Sequence, residues 1–154
     1  MNRFVTINKT MADEVPSSHA SIAPEAERVL EQAAPEALSL GLDYVGTEAV
    51  LLAMIRLRAP ELFDTLRRVG SSVELEAAIR RSTEGSSDAT GHEPLPFAPR
   101  AIRAVEYAGQ LARKSQRLQI SNRDLLVGLL AEREGLAHSI LADMGVDIAT
   151  VLAD

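Results

Sequence analysis

The sequence predicts an all-α fold: two pseudo-twofold-related four-helix repeats forming one globular domain. Three observations carry that reading. Apolar residues make up 46% of the 154-residue chain but aromatics only 3%, so Ala and Leu, both strong helix formers, supply the core. The chain aligns on itself at an offset of 75 residues, with no gap between residues 23 and 79. Within each copy, apolar residues recur at spacings of three and four, the period of one helix face.

The internal alignment is clearest at the start of each copy. APEAERVLEQAAPEA (23–37) falls on APRAIRAVEYAGQLA (98–112), with seven of fifteen positions identical: Ala23/Ala98, Pro24/Pro99, Ala26/Ala101, Arg28/Arg103, Glu31/Glu106, Ala33/Ala108 and Ala37/Ala112. Register then holds through Leu51/Leu126, Arg58/Arg133, Leu66/Leu141 and Gly70/Gly145. A tandem duplication explains a register kept through three later elements, and one small repeat cannot bury its own apolar faces, so the copies pack together. The expected division is a lead over 1–21, a first repeat over 22–82, a linker over 83–97 and a second repeat over 98–154.

Each element follows from its residues. The lead begins with Met and carries RFVTI, an alternation that reads as extended chain able to add to a partner or pack on the domain. With its irregular lead, the chain reads as a complete small protein. Pro24 and Pro99 suit a first helical turn, where a missing N–H costs nothing. Ala26, Leu30, Ala33, Ala37 and Leu40 form the apolar stripe of the first helix, which Gly41 ends. In the second copy the stripe is Ile102, Val105, Ala108 or Gly109, and Ala112. Pro35, mid-helix, is expected to kink or interrupt the first helix at a cost of about 3 kcal/mol. Thr47, and Asn122 or Ser121, are candidate N-caps of a second helix over 48–57 and 123–132 that is apolar on most sides and therefore central. A third helix is expected over about 60–69 and 135–144, stopped by Gly70 and Gly145. A short fourth is expected near 73–82 and 147–153. STEGSSDATGHEPLPFAP, between the copies, has the Ser, Gly, Asp and Pro content of a linker.

Composition narrows the function. The chain has no Cys, so disulfides and thiolate zinc sites are excluded. Its net charge is −6 with both signs intermixed, which argues against a nucleic-acid surface. No apolar run approaches the roughly 20 residues of a membrane span, and the N-terminus lacks a signal-peptide core. A cytoplasmic monomer is expected. Two Lys against fourteen Arg points to a GC-rich bacterial genome. His19, His92 and His138 have no metal-ligand spacing and read as surface residues. Ser21, Ser121 and the linker serines have no nucleophile context. No catalytic constellation or Gly-rich phosphate loop is present, so the expectation is a non-enzyme without cofactors or metal.

LGLDYVGTEAVLLAM (40–54), its degraded copy SQRLQISNRDLLVGLL (115–130), MGVDIATVL (144–152) and GHEPLPFAPRA (91–101) resemble the Clp N-terminal domain of ClpC type. That family's repeat carries Gly-(His/Asn)-Tyr-Ile-Gly-Thr-Glu-His-Leu-Leu-Leu-Gly-Leu, a Leu-Gly-Val-Asp ending and an inter-repeat Gly-His-Ile-Pro-Phe-Thr-Pro-Arg-Ala, here two residues longer. The likeness covers about 22–154. It implies the docking module of a Clp unfoldase without its ATPase motor: a protein that binds an adaptor, a substrate or a Clp unfoldase, delivers substrates, or sequesters ligands such as Clp-directed cyclic peptides.

The resemblance also implies sites. In ClpC-type modules the Glu of the Gly-Thr-Glu block and a Thr near the first helix form a phosphoarginine pocket, one per repeat. The Glu takes the guanidinium, while hydroxyl and backbone N–H groups take the phosphate. Here the first pocket maps to Ala23, Thr47 and Glu48, with a hydroxyl lost. The second maps to Ala98, Asn122 and Arg123, where an arginine opposes a guanidinium ligand. An acid at Glu48 also complements the helix dipole, worth about 0.3–1 kcal/mol. The family's adaptor groove maps to Leu30, Leu95, Pro96, Phe97, Ile102 and Glu106. Phe97 is either a partner anchor or packing for the linker.

Overall fold

The computed structural model describes residues 21–84 and 95–153. The first copy holds β1 (Ser21–Ile22), α1 (Pro24–Ser39), α2 (Thr47–Arg56), α3 (Pro60–Leu66) and α4 (Ser72–Ser82). The second holds α5 (Pro99–Lys114), β2 (Gln119–Ile120), α6 (Asn122–Ala131), α7 (Leu136–Met144) and α8 (Ile148–Ala153). The fold is all-α and the two four-helix repeats are related by a pseudo-twofold axis.

Local chemistry sets most boundaries. Pro24 and Pro99 start α1 and α5. Both helices end in the same motif. Gly41 and Gln116 take left-handed φ values of 79° and 60°. Leu42 N–H then reaches the Ala37 carbonyl at 3.0 Å, and Arg117 N–H reaches Ala112 at 2.8 Å. This paired closure satisfies carbonyls the helix end would leave open. Only the first copy uses the residue with no β-carbon penalty there.

Several expectations change in the structure. Helix α1 runs through Pro35 unbroken. The proline is exposed while Ala33, Ala34, Glu36 and Ala37 beside it are buried, so packing on both sides keeps the helix continuous despite the lost hydrogen bond. Thr47 is not an N-cap: α2 begins at Thr47 behind an extended Gly46. In α6 the cap is Ser121, in a capping box with Asp124, and Asn122 is the first helical residue. Helix α3 stops at Leu66, and Gly70 has no positive φ, whereas Gly145 does, at 101°. The missing β-carbon of Gly70 instead makes room across the axis, where it would lie 2.9 Å from Met144 Cε. The buried face of α5 carries Ala101, Ala104, Val105, Ala108 and Ala112, with Ile102 only half-buried.

The repeats exchange elements across the axis. Strands β1 and β2 pair in parallel, Ser21 with Gln119 and Ile22 with Ile120. Moving each partner by 75 turns the second pair into Phe97 with Val45, and that bridge is present. Ala23 N–H donates to Ile120 O at 2.9 Å, and Ala98 N–H donates to Val45 O at 2.8 Å. Likewise α3 packs on α6 and α7 packs on α2. The core is therefore shared, with α2 and α6 at its centre; every residue of α2 from Thr47 to Ile55 is buried. Repeat 1 adds a polar clasp. Arg56 binds Glu36 through Nε and Nη2, both at 3.2 Å, and Glu76 at 3.3 Å. It ties α1, α2 and α4 together.

Helices α5 and α6 touch backbone to backbone at Gly128, where a β-carbon would collide with the Ala104 carbonyl oxygen. Gly128→Ala is expected to lower unfolding free energy by about 2–3 kcal/mol through overpacking. Gln116→Gly, at a left-handed position, is expected to raise it by about 0.5–1 kcal/mol. Urea denaturation of both variants checks the pair; a neutral Gly128→Ala would contradict the close approach.

Candidate functional site

A cavity of about 600 Å³ opens between the repeats. Gly46, Thr47 and Glu48 at the start of α2 form one wall. The start of α5, from Ala98 to Arg103, and the start of α7, around Gly135, form the others. The Ala98–Val45 hydrogen bond draws α5 against α2. Thr47 draws in α7: its Oγ1 accepts from Ala137 N–H at 3.1 Å, so it caps a helix of the other repeat rather than its own. Gly135 permits this approach, since a β-carbon there would lie 2.9 Å from Thr47 Oγ1.

The three N-caps here, Gly46, Ala98 and Gly135, make no side-chain cap hydrogen bond. The starts of α2 and α5 therefore turn their partial positive charge toward the cavity, while Thr47 caps that of α7. Glu48 sits among them, only 5% exposed, with no ion-pair partner among the described residues. Its carboxylate folds back over Gly46, where a β-carbon would collide with it. Burial pushes its pKa up, partly opposed by a hydrogen bond from its own backbone N–H. Tyr44, 39% exposed at the rim, has its pKa raised by burial and then by the charges of Glu48 and Asp43.

The opposite side is basic. Arg103 Nη1 binds the buried Glu132 Oε2 at 3.2 Å, and Glu132 Oε1 also accepts the Glu134 N–H at 3.0 Å. Arg100 reaches Glu134 at 3.5 Å with both side chains exposed, a pair of small energetic worth. Arg103 is anchored and Arg100 is available. The cavity thus offers a desolvated carboxylate to a cation and a guanidinium beside helix starts to an anion.

The cross-repeat exchange regroups the residues expected to act together. Thr47 and Glu48 share their cavity with Ala98, not Ala23. Ala23 lines a second opening of about 630 Å³ with Ser21, Glu25, Arg117 and Ser121. Asn122 is buried and its Oδ1 has no hydrogen-bond partner, while Arg123 is exposed. The residues expected to form the adaptor groove differ in burial. Leu30, Leu95 and Phe97 are buried in the core, Pro96 is exposed, and Ile102 and Glu106 are half-buried. Phe97 is held by its bridge to Val45 and packs in the core. His138 is no free surface residue: it is half-buried and Nδ1–H donates to Leu130 O at 2.6 Å. His19, His92 and the RFVTI stretch lie outside the described residues. Among the described residues no group of three His, Asp or Glu can hold a metal ion, and no helix is long and apolar enough to cross a membrane. Sequence reasoning missed Arg100, Glu134 and Gly135; Arg103 had shown itself only as an identical repeat pair.

Because folding raises the Glu48 pKa, the folded state prefers its protonated form. Its contribution is present below the ordinary carboxylate range and is lost as pH rises through the raised value. Glu48→Gln is therefore expected to have little effect near pH 4 and to raise Tm by several degrees at pH 7. Thermal melts across that range check it; equal Tm values at pH 7 would contradict a buried, unpaired carboxylate.

The comparisons agree with this architecture. A family model described as the Clp repeat (R) N-terminal domain matches residues 5–69 and 96–154. Over 128 residues the chain is 35% identical to the chloroplastic chaperone protein ClpC of Pisum sativum, covering 80% of this chain and 13% of that protein. Over 128 residues it is 31% identical to the negative regulator of genetic competence ClpC/MecB of Bacillus subtilis, covering 80% and 15%. The chain thus spans about a seventh of the length of these relatives. The crystal structure of the N-terminal domain of the caseinolytic protease associated chaperone ClpD from Arabidopsis thaliana superimposes with a TM-score of 0.66 at 25% identity, over 86% of this chain and 90% of that one. With two exchanged helical repeats and a family match over both of them, the chain belongs to the Clp N-terminal domain family.

Proposed function

We propose that the chain is a non-catalytic interaction module of Clp-dependent proteolysis that docks an adaptor, a substrate or a Clp unfoldase through the cavity between its repeats. The observation that carries this reading is Glu48: a buried carboxylate with no counter-ion among the described residues, at the wall of an open cavity whose other side holds Arg100. A carboxylate kept desolvated and unpaired lowers stability unless an incoming cation uses it. The preferred occupant is a phosphoarginine side chain. Its guanidinium pairs with Glu48. Its phosphoryl group faces Arg100 and the uncapped start of α5. Ala98 supplies no hydroxyl, so the phosphoryl contact rests on backbone N–H groups and the arginine. Membership in the ClpC-related family supports the same reading, and a cytoplasmic compartment suits it.

Calorimetric titration with a phosphoarginine peptide, its unmodified-arginine counterpart and a ClpC-type unfoldase tests it. The phosphorylated peptide is expected to bind at one site per chain. Glu48→Gln is expected to weaken it at least about tenfold, the loss of one charge-assisted pair. Equal binding of both peptides, or no binding to any of the three, would overturn the proposal.

A further inference from the structure

The second opening is the pseudo-symmetric counterpart of the Glu48 cavity. Shifting by 75 carries Gly46 to Ser121, Tyr44 to Gln119, Ala98 to Ala23 and Arg100 to Glu25, all of them lining residues. The carboxylate has moved. Arg123 takes the second helical position that Glu48 holds in α2, and Asp124 follows at the third. Asp124 is fully buried. The Arg117 guanidinium meets it in a two-pronged contact, Nη1 to Oδ2 at 2.5 Å and Nη2 to Oδ1 at 2.7 Å. Ser121 N–H adds a third bond at 2.9 Å. Arg117 itself lines the opening and is partly exposed. It follows the left-handed turn at Gln116. Its counterpart in repeat 1 is Leu42, which is buried and brings no charge.

We infer that Arg117 is an internal ligand: its guanidinium fills on Asp124 the role that an incoming guanidinium takes on Glu48, so the carboxylate behind the second opening is already paired and, among the described residues, one such carboxylate rather than two is left for a guanidinium ligand. Planar fork-to-carboxylate pairing is what a free guanidinium compound would reproduce. Arg117 is therefore a specificity-determining residue for the stoichiometry of binding. The stoichiometry rests on the proposed function, but the pairing of Arg117 with Asp124 does not require Glu48 to bind anything, and its test is made in a Glu48→Gln background.

There, Arg117→Ala leaves Asp124 buried without a counter-ion and is expected to lower Tm by roughly 10 °C. Methylguanidinium chloride at tens of millimolar is expected to restore at least half of that loss by binding the vacated site. Sodium chloride at equal concentration is expected not to. Arg117→Ala with Asp124→Asn is expected to show no recovery, and Arg117→Lys an intermediate Tm with little recovery. If Arg117→Ala does not fold alone, refolding on adding methylguanidinium is the supporting result. The inference is overturned if methylguanidinium raises the variant's Tm no more than that of the parent or of the double variant, or fails to refold it. One response separates the two readings: recovery at Asp124 with no phosphoarginine binding in the wild-type chain supports the internal ligand while removing the Glu48 proposal.

Discussion

Two short parallel bridges decide how this molecule is put together. Ile22 pairs with Ile120 and Phe97 with Val45, and each is followed by a hydrogen bond from the next residue's N–H, Ala23 to Ile120 and Ala98 to Val45. Each repeat thus lends its first extended residues to the other. The bridges place the start of α5 beside the start of α2, and the start of α1 beside that of α6. Without that crossing, Glu48 would face its own repeat's first helix, and the cavity with Arg100 on its far wall would not exist.

The crossing needs close packing to hold. The first helices are alanine-rich on their buried faces, which lets them approach α2 and α6. At Gly128 the approach reaches backbone contact with Ala104. Such interfaces gain from dispersion over many small contacts and tolerate little added volume. The core is shared across the axis, so loosening one helix pair loosens both openings.

Two buried carboxylates show how environment sets chemistry. Glu48 and Asp124 begin equivalent helices, one residue out of step. Burial raises the pKa of Glu48, which has no ion-pair partner among the described residues. Burial also opposes ionisation of Asp124, but the hydrogen bonds from Arg117 and Ser121 outweigh it and hold its pKa low. Two equivalent helix starts therefore yield one acid without an ion-pair partner among the described residues and one acid that already has one. The asymmetry of the pair, more than either residue alone, separates an unpaired carboxylate from a paired one.

The duplication, the helical class, the apolar stripes, Pro24 and Pro99 as helix starts and Gly41 as a helix stop were legible in the residues, because each rests on local backbone preference or on a period of three to four. Glu48 was legible as a candidate through the block around it. Helix continuity at Pro35 was not, because packing on Ala33, Ala34 and Ala37 overrode a local penalty. Nor was the role of Thr47, whose hydroxyl caps a helix begun ninety residues later in the chain. The grouping of Thr47 and Glu48 with Ala98 and Arg100 was invisible for the same reason. Local spacing determines which residues share a helix face; only the exchange of strands between repeats decided which helix starts share a cavity, since those contacts join segments that no sequence period connects.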